Sequence, residues 1–324
     1  MKRISTVLIA MLGAVSLFLV GSASAQSWPD RPVRIVTPFS PGGTADVLAR
    51  MMAGHFTEAF QQQFIVDNRL GGAGLVGTQA VVSAPPDGYT LLLSNISLLS
   101  LHPSTILNLP YDPIKDLTNI AYVAGSPVVL TVTPKTELKS LKEFVKYAKK
   151  SEKPLTFSAS GLGGAGHLVG ELFAKEAGFK ASFVPYKGAA QGVMDVVAGH
   201  LDFGLPVIST AAPQFQSNRL IALAHTAGKR MPDYPDIPTF KELGVDIVST
   251  TWFSLSGPAK LPDDIVVKLN REVVNMISNP DLAKKMSTMG MLTDPMNPTE
   301  FREFILMEAA RWKPVLQQAG VVIK

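Results

Sequence analysis

Two glycine-rich segments hold the residues of this chain that are best suited to chemistry. The first runs from Ile35 to Arg50 and reads IVTPFSPGGTADVLAR, and the second runs from Leu155 to Ala174 and reads LTFSASGLGGAGHLVGELFA. Each starts as an apolar strand pattern, turns through glycines and then opens a helical pattern. The backbone N–H groups and the dipole at such a helix start favour an anion. We therefore expect the two loops to face each other across a cleft and to hold one small acid between them.

The two loops offer an anion no basic side chain. Neither glycine loop contains Arg or Lys, so binding would use backbone N–H groups and hydroxyls such as Ser40, Thr44 and Ser160. Donors of this kind are fixed on the scaffold and need little ordering on binding. Asn95, at the end of the third predicted strand, is a further polar candidate for ligand contact.

Two side chains near the helix starts allow more than one interpretation. His167 lies in the first turn after the second loop, where it could order the loop by local hydrogen bonding or touch the ligand. Asp46 could cap its helix, because an acid in the first turn suits the dipole, or it could bind an amino group of the ligand. Lys187 follows Tyr186 at the presumed cleft and is expected to be solvated, and Asp202 is expected to be structural.

Motifs for cofactor or metal chemistry are not supported by their context. Gly72–Gly77 and Gly161–Gly166 both match G-x-G-x-x-G, but a dinucleotide fold also needs an acidic residue at the end of the next strand. The next predicted strands end in Ser94-Asn95 and Pro185-Tyr186 instead. The five histidines are scattered without metal-ligand spacing, the chain has no Cys, and no G-x-S-x-G, H-E-x-x-H or P-loop occurs. We therefore expect no cofactor, no metal and no catalytic residue.

The N-terminus has the pattern of a secretory signal peptide. Lys2 and Arg3 precede an apolar run from Val7 to Val20, and Ala23-Ser24-Ala25 is a small-x-small cleavage site. The run is too short for a membrane anchor, so we expect residues 1–25 to be removed and the protein to be periplasmic. Removal of the two basic residues lowers the formal net charge from +4 to +2. Without a basic run in the rest of the chain, nucleic acid is not an expected partner.

The elements that must position these loops alternate between strands and helices. That alternation predicts an α/β fold whose sheets are mainly parallel and flanked by helices. A strand-like stretch from Ala121 to Val132 and another from Thr251 to Pro258 are interpreted as crossings between two domains. We therefore predict a discontinuous first domain, residues 26–125 plus 255–324, and a second domain, residues 126–254. Ser140, with Glu143 three residues later, predicts a helix that starts with a capping box.

An ordered set of short motifs resembles one known family. The set comprises the nine residues Pro38–Asp46, Asn68-Arg69, Pro86–Tyr89, Tyr111–Pro113, Ser160-Gly161 with Gly163 and His167-Leu168, and Pro185–Gly188. It extends over essentially the whole chain after the signal peptide and resembles the periplasmic solute-binding proteins of tripartite tricarboxylate transporters, the Bug type. Phe203–Pro206 departs from the more aromatic or acidic stretch that members often carry there, so this segment does not indicate the ligand class.

The resemblance implies a two-domain Venus-flytrap fold that clasps a ligand carboxylate between the two loops, partly through waters. The ligand contacts expected from the residues and the resemblance together are Phe39, Ser40, Pro41, Gly42, Gly43, Thr44, Asp46, Asn95, Ser160, Gly161, Gly163, Gly164, Ala165, His167, Tyr186 and Gly188.

The resulting hypothesis is a non-enzymatic, monomeric binding protein that closes at a hinge on a small organic acid or amino acid. Its other partners would be the membrane permease subunits of a tripartite transporter. Two alternatives stay open: a ligand-sensing partner of a membrane receptor, and an exported hydrolase or lyase on the same fold. The sequence does not choose among di- or tricarboxylates, acidic amino acids and aromatic acids.

Overall fold

The computed structural model describes residues 28–159, 161–186 and 189–319. The signal peptide predicted for residues 1–25 lies outside these ranges, as do Ser160, Lys187 and Gly188. Among the described residues, no helix has the length and apolar character needed to cross a membrane.

The strands are β1 (Val33–Thr37), β2 (Phe64–Asn68), β3 (Thr90–Asn95), β4 (Leu117–Pro127), β5 (Val129–Val132), β6 (Leu155–Ala159), β7 (Ala181–Phe183), β8 (Phe203–Leu205), β9 (Ile221–His225) and β10 (Thr250–Pro258). The α-helices are α1 (Thr44–Phe60), α2 (Leu75–Val82), α3 (His102–Thr105), α4 (Leu141–Lys150), α5 (Ala165–Ala177), α6 (Ala189–Ala198), α7 (Ile208–Gln216), α8 (Asp263–Ser278), α9 (Pro280–Thr288) and α10 (Pro298–Ala319). A π-helix spans Ser97–Leu101, and short 3₁₀ turns span Gly72–Gly74, Pro134–Thr136 and Lys241–Leu243.

The described strands form two five-stranded sheets. Sheet 1 has the order β2-β1-β3-β10-β4, and sheet 2 has the order β7-β6-β8-β5-β9. In sheet 1 only β10 runs antiparallel to its neighbours, and in sheet 2 only β5 does so. Four of the five strands in each sheet therefore share one direction, with helices as connections. This arrangement confirms the predicted α/β fold with mainly parallel sheets.

The chain passes between the sheets at two adjacent places. The sequence predicted one continuous stretch from Ala121 to Val132, but β4 ends in sheet 1 at Pro127 and β5 begins in sheet 2 two residues later. The N–H of Val128 donates to Oγ1 of Thr226 at 3.0 Å, and that hydroxyl donates to the carbonyl of Ser249 at 2.6 Å. Because Ser249 immediately precedes β10, this hydroxyl ties the outward and return crossings together.

The helical stripes predicted from apolar spacing pack into the core with one exception. Ile265, Leu269, Val273 and Ile277 on α8 are all buried. On α1 the predicted stripe comprises Leu48, Met51, Met52, Phe56, Ala59 and Phe60. Of these, Leu48, Met52 and Phe56 are buried, Met51 and Phe60 are half-buried against the core, and Ala59 in the last turn is exposed. Burial of such stripes supplies most of the stability of a surface helix.

Several elements differ from those that the sequence patterns predict. The strand expected over Ser182–Tyr186 ends at Phe183, and a proline at 185 has no N–H to continue a ladder. Helix α7, expected from Ala211, begins at Ile208, and the π-helix after β3 was not predicted at all. Short apolar runs such as Ser97–Leu101 carry no period that separates helix from strand.

The N-cap of α4 gives a direct test of local stability. Ser140 Oγ accepts a hydrogen bond from the N–H of Glu143 at 3.2 Å, as predicted, while the Glu143 carboxylate accepts from the N–H of Lys139 at 2.8 Å, one residue earlier than in a standard capping box. We expect Ser140→Ala to lower the free energy of unfolding by about 1 kcal/mol in urea denaturation. Ser151→Ala at the other end of α4 is the control, because the Ser151 hydroxyl bonds only to the exposed carbonyl of Lys153. Equal urea midpoints for the two variants would contradict the capping role.

Candidate functional site

The first glycine loop is held in place by an acid from the helix that follows it. Gly42 has a φ of +79°, and Gly43 is the extended N-cap of α1. Asp46, in the first turn of α1, accepts hydrogen bonds from the N–H of Gly42 at 3.1 Å and from Arg50 at 3.0 and 3.1 Å. Its carboxylate also accepts from Nδ2 of Asn68, which donates to the carbonyl of Phe39 as well. Asp46 therefore orders the loop and connects it to β2.

The pKa of Asp46 reflects these contacts. Burial would raise the pKa, but the hydrogen bonds from Arg50, Gly42 and Asn68 outweigh it and hold the pKa below its usual value. The carboxylate is thus ionised at neutral pH, and the Arg50 guanidinium balances its charge. An anion can approach the helix start without facing an uncompensated negative charge.

The second glycine loop repeats this design with a different side chain. Gly163 has a φ of +69°, and Gly164 is the extended N-cap of α5. His167 stands at the same position in α5 as Asp46 does in α1, and its Nδ1 accepts from the N–H of Gly163 at 3.0 Å. Both loops therefore use a side chain in the first helical turn to hold a glycine N–H four residues earlier.

His167 is a neutral acceptor in this loop. Burial lowers its pKa to about 4, and its ring stacks on Phe183 with 4.1 Å between centroids. The Glu171 carboxylate lies 3.7 Å from Nε2 and would favour a charged ring, but burial dominates. The alternative in which His167 orders its loop matches this geometry.

A small cavity of about 50 Å³ lies at the N-terminal end of α1. Its walls combine residues of the first loop with residues from both sheets: Phe39, Ser40, Gly43, Thr44, Ala45, Asn95, Ala189, Val207, Thr210, Thr251 and Phe253. The hydroxyl of Thr251 is buried and has no hydrogen-bond partner among the described residues. A buried polar group without a partner costs free energy, so this hydroxyl marks a place where a polar ligand group fits.

Thr44 joins the two halves of the molecule, the one built on sheet 1 and the one built on sheet 2, beside this cavity. Its Oγ1 lies 2.7 Å from Oγ of Ser209 and 2.9 Å from Oγ1 of Thr210, both in the first turn of α7. The N–H of Ser209 donates in turn to Ser126 Oγ at 3.1 Å, near the end of β4. These contacts connect the first loop to sheet 2 and to the crossing between the sheets.

A larger cavity of about 470 Å³ adjoins the small one at Phe39, which borders both. We call it the main cavity. It is lined by Pro38, Phe39, Leu70, Gly71, Gly72, Ala73, Gly74, Ser97, His102, Gly161, Leu162, Gly164, Pro185 and Tyr186. Most of these are apolar or glycine, and residues from both halves contribute. A cavity of this kind suits a small organic molecule.

Tyr186 contributes a neutral wall to the main cavity. Its hydroxyl donates to the carboxylate of Asp195, and burial together with this carboxylate raises the pKa of Tyr186 to about 12. The phenol therefore stays protonated at neutral pH and is already engaged by a protein group.

The predicted contact residues divide between the two cavities. Ser40, Gly43, Thr44 and Asn95 line the small cavity, Gly161, Gly164 and Tyr186 line the main one, and Phe39 lines both. The side chains of Asp46 and His167 support the loops, and Pro41, Gly42, Gly163 and Ala165 line neither cavity. Ser160 and Gly188 lie outside the described residues.

Sequence reasoning did not identify a third wall of the main cavity. Residues 71–74, which overlap the start of the first G-x-G-x-x-G match, form this wall with positive φ throughout, including a φ of 54° at Ala73. At Gly77 an added Cβ would lie 2.8 Å from Cβ of Pro38, so glycine is needed for α2 to approach β1. The glycine spacing could have indicated this wall, but it was interpreted only as a possible nucleotide-binding motif. Among the described residues, no group of His, Asp or Glu is arranged to hold a metal ion.

Comparison with known proteins assigns the family. The model of the tripartite tricarboxylate transporter family receptor, TctC, matches residues 48–321. The chain belongs to this family. Members of the TctC family are periplasmic solute-binding receptors, not enzymes, so this chain is a solute-binding protein.

Individual TctC relatives resemble the chain over nearly its full length. It is 31% identical to the protein BugT of Bordetella pertussis over 323 residues, which cover 98% of this chain and 99% of BugT. Rpa4515 of R. palustris, solved with adipate, is 31% identical with a TM-score of 0.89, covering 91% of this chain and 99% of that one. MatC of Rhodopseudomonas palustris, solved with bound malate, is 27% identical with a TM-score of 0.84, and the match covers 89% of this chain and 100% of MatC.

Proposed function

We propose that this protein captures a small carboxylate-bearing solute between its two glycine-rich loops and delivers it to the membrane components of a tripartite transporter. The observation that carries the proposal is the small cavity. Its walls combine Thr251, whose hydroxyl has no hydrogen-bond partner among the described residues, with the first turn of α1. The relatives solved with adipate and malate support a carboxylate as the ligand class.

The chemistry of the small cavity favours an anion for two reasons. The first N–H groups of α1 have no acceptor within the helix, and the positive end of its dipole lies at the same place. The negative charge of Asp46 is offset by Arg50, so the cavity is not surrounded by opposing charge. A carboxylate there would accept from the α1 N–H groups at Gly43 to Ala45 and from Thr251.

The second loop would complete the clasp from the other half of the molecule. Gly164, the N-cap of α5, borders the main cavity close to Ser97 of the first half. We propose that the halves are the two predicted domains, with their boundaries at the crossings near Val128 and Ser249, because β4 up to Pro127 and β10 from Thr250 both belong to sheet 1. They would close about the paired crossings near Val128 and Ser249, since a few residues between rigid bodies can absorb such a motion.

The proposed setting follows from the family and the N-terminal sequence. Cleavage after Ala25 would release a monomeric protein into the periplasm, where the form closed on its ligand would be recognised by the permease subunits. Ligand contacts on both loops would bias the equilibrium toward that form.

A calorimetric and thermal-shift screen of the purified protein tests the proposed function. The probes are carboxylates paired with their neutral amides: benzoate with benzamide, hexanoate with hexanamide, and adipate with adipamide. At a concentration about 100 times Kd, a bound carboxylate should add roughly 2.7 kcal/mol of stability. The amides should give no shift. Stabilisation by sugars or by the amides, with none by any carboxylate, would refute the proposed ligand class.

A further inference from the structure

The π-helix after β3 places two polar side chains on one wall of the main cavity. The N–H of His102 donates a hydrogen bond to the carbonyl of Ser97, five residues earlier, and both residues border the cavity. In an α-helix, residues five apart point about 140° away from each other. The wider π turn brings them to the same side, and such single turns are frequent at functional sites.

His102 is buried, and one of its ring nitrogens has no partner. The side chain is 1% exposed, and Nδ1 has no hydrogen-bond partner among the described residues. Burial lowers the pKa of His102 to about 4, so the ring is neutral and each nitrogen is either a donor or an acceptor. Neither the fold nor the carboxylate clasp explains why a polar ring should stand at this place.

His102 stands apart from the proposed carboxylate position. It borders the main cavity but not the small cavity, whereas Phe39 lines both. A ligand whose carboxylate occupies the small cavity would pass Phe39 and direct its other end into the main cavity. That end would meet apolar walls such as Leu70 and Leu162 together with the single imidazole.

We propose that His102 recognises an uncharged hydrogen-bonding group at the end of the ligand remote from its carboxylate, and that the preferred solute is an apolar acid with a hydroxyl at that end. This inference rests on the proposed function. A second carboxylate at His102 would face a neutral ring, and no charged side chain stands among the described residues that line the main cavity. A neutral ring can instead exchange one hydrogen bond with a hydroxyl at no charge cost.

Titration calorimetry with matched acids tests the inference. The pairs are benzoate with 4-hydroxybenzoate and hexanoate with 6-hydroxyhexanoate, and the dianions are terephthalate and adipate. For the pair that binds, we expect the hydroxylated acid to bind about tenfold more tightly than its parent and more tightly than the corresponding dianion. In His102→Phe this ratio should fall to about one, while the parent acid binds within about threefold of the original protein.

A second variant separates recognition from packing. His102→Asn places an amide where Nδ1 stands and should keep a ratio of at least about threefold, with folding of both variants checked by circular dichroism. Two results would overturn this inference and leave the proposed function intact. One is an affinity ratio that is unchanged in His102→Phe, and the other is tighter binding of terephthalate or adipate than of the hydroxylated acids to the original protein. If no carboxylate binds the original protein, the proposed function fails as well.

Discussion

Replacing Gly43 by valine should abolish ligand binding without unfolding the protein. A Cβ at this position would meet only the carbonyl of Ser40, at the ordinary distance of 3.6 Å, and the φ of −85° suits any residue. The valine methyls would instead occupy the small cavity, which has only about 50 Å³. We expect at least about a hundredfold loss of carboxylate affinity by calorimetry, with a change of about 1 kcal/mol or less in the free energy of unfolding.

The same substitution elsewhere on α1 provides the matched control. Gly54 is exposed on this helix, and a Cβ there would meet nothing within 4 Å. Gly54→Val should therefore leave affinity unchanged and slightly increase stability, because valine has a better helix propensity than glycine. Unchanged affinity in Gly43→Val would show that the start of α1 does not hold the ligand. Gly42 is unsuitable for this test, since a φ of +79° would strain any replacement.

Acidification from about pH 7.5 to about pH 5 should destabilise the protein by several kcal/mol. The pKa values of His102 and His167 are lowered by burial to about 4, against about 6.5 in an unfolded chain. Between these values the unfolded chain binds more protons, so stability falls as the pH falls. By linkage each histidine should account for about 2 kcal/mol over this interval. His225, whose pKa burial also lowers, acts in the same direction.

The two loops should respond differently to acid. In the folded protein, protonation of His167 as the pH falls through its pKa of about 4 would remove the acceptor for the N–H of Gly163 and release the second loop. The lowered pKa of Asp46 means that its contribution persists above the unfolded value of 3.8 and is lost only below it, so the first loop stays ordered at pH 5. Urea denaturation at several pH values measures the effect. His167→Asn, which keeps an acceptor that does not titrate, should reduce the loss of stability between about pH 7.5 and about pH 5 by about 2 kcal/mol. An identical loss of stability in this variant would exclude His167 as one of its sources.

The sequence was sufficient for the parts of the site that depend on local pattern. Strand, glycine turn and helix start follow each other within about fifteen residues in both loops, so the order of residues fixes their geometry. The end of α5 at Gly178, which adopts a φ of 71°, also follows from neighbouring residues alone, because a glycine after a helical pattern favours a left-handed C-terminal cap. The matched positions of Asp46 and His167, each four residues after a glycine with positive φ, were also visible in the sequence. Their common role as loop supports became clear only with the hydrogen bonds.

The rest of the site depends on long-range packing. Leu70, His102 and Pro185 are far apart in the chain and meet only because β2, β3 and β7 deliver the segments that follow them to one cleft. His102 in particular looked like one of several scattered histidines. Its significance comes from the π turn and from burial, and no spacing in a short apolar segment indicates either.

The hydroxyl of Thr44 gives the protein a means of setting its affinity through contacts within the protein. Its hydrogen bonds to Ser209 and Thr210 join the two halves and require no solute. They increase the fraction of ligand-free molecules in which the two halves are joined. If the ligand binds this arrangement, the apparent dissociation constant equals the intrinsic dissociation constant divided by that fraction. Exchanging Ser209, which lines neither the small nor the main cavity, can therefore shift the solute concentration at which the protein is half saturated while the residues of both cavities are retained.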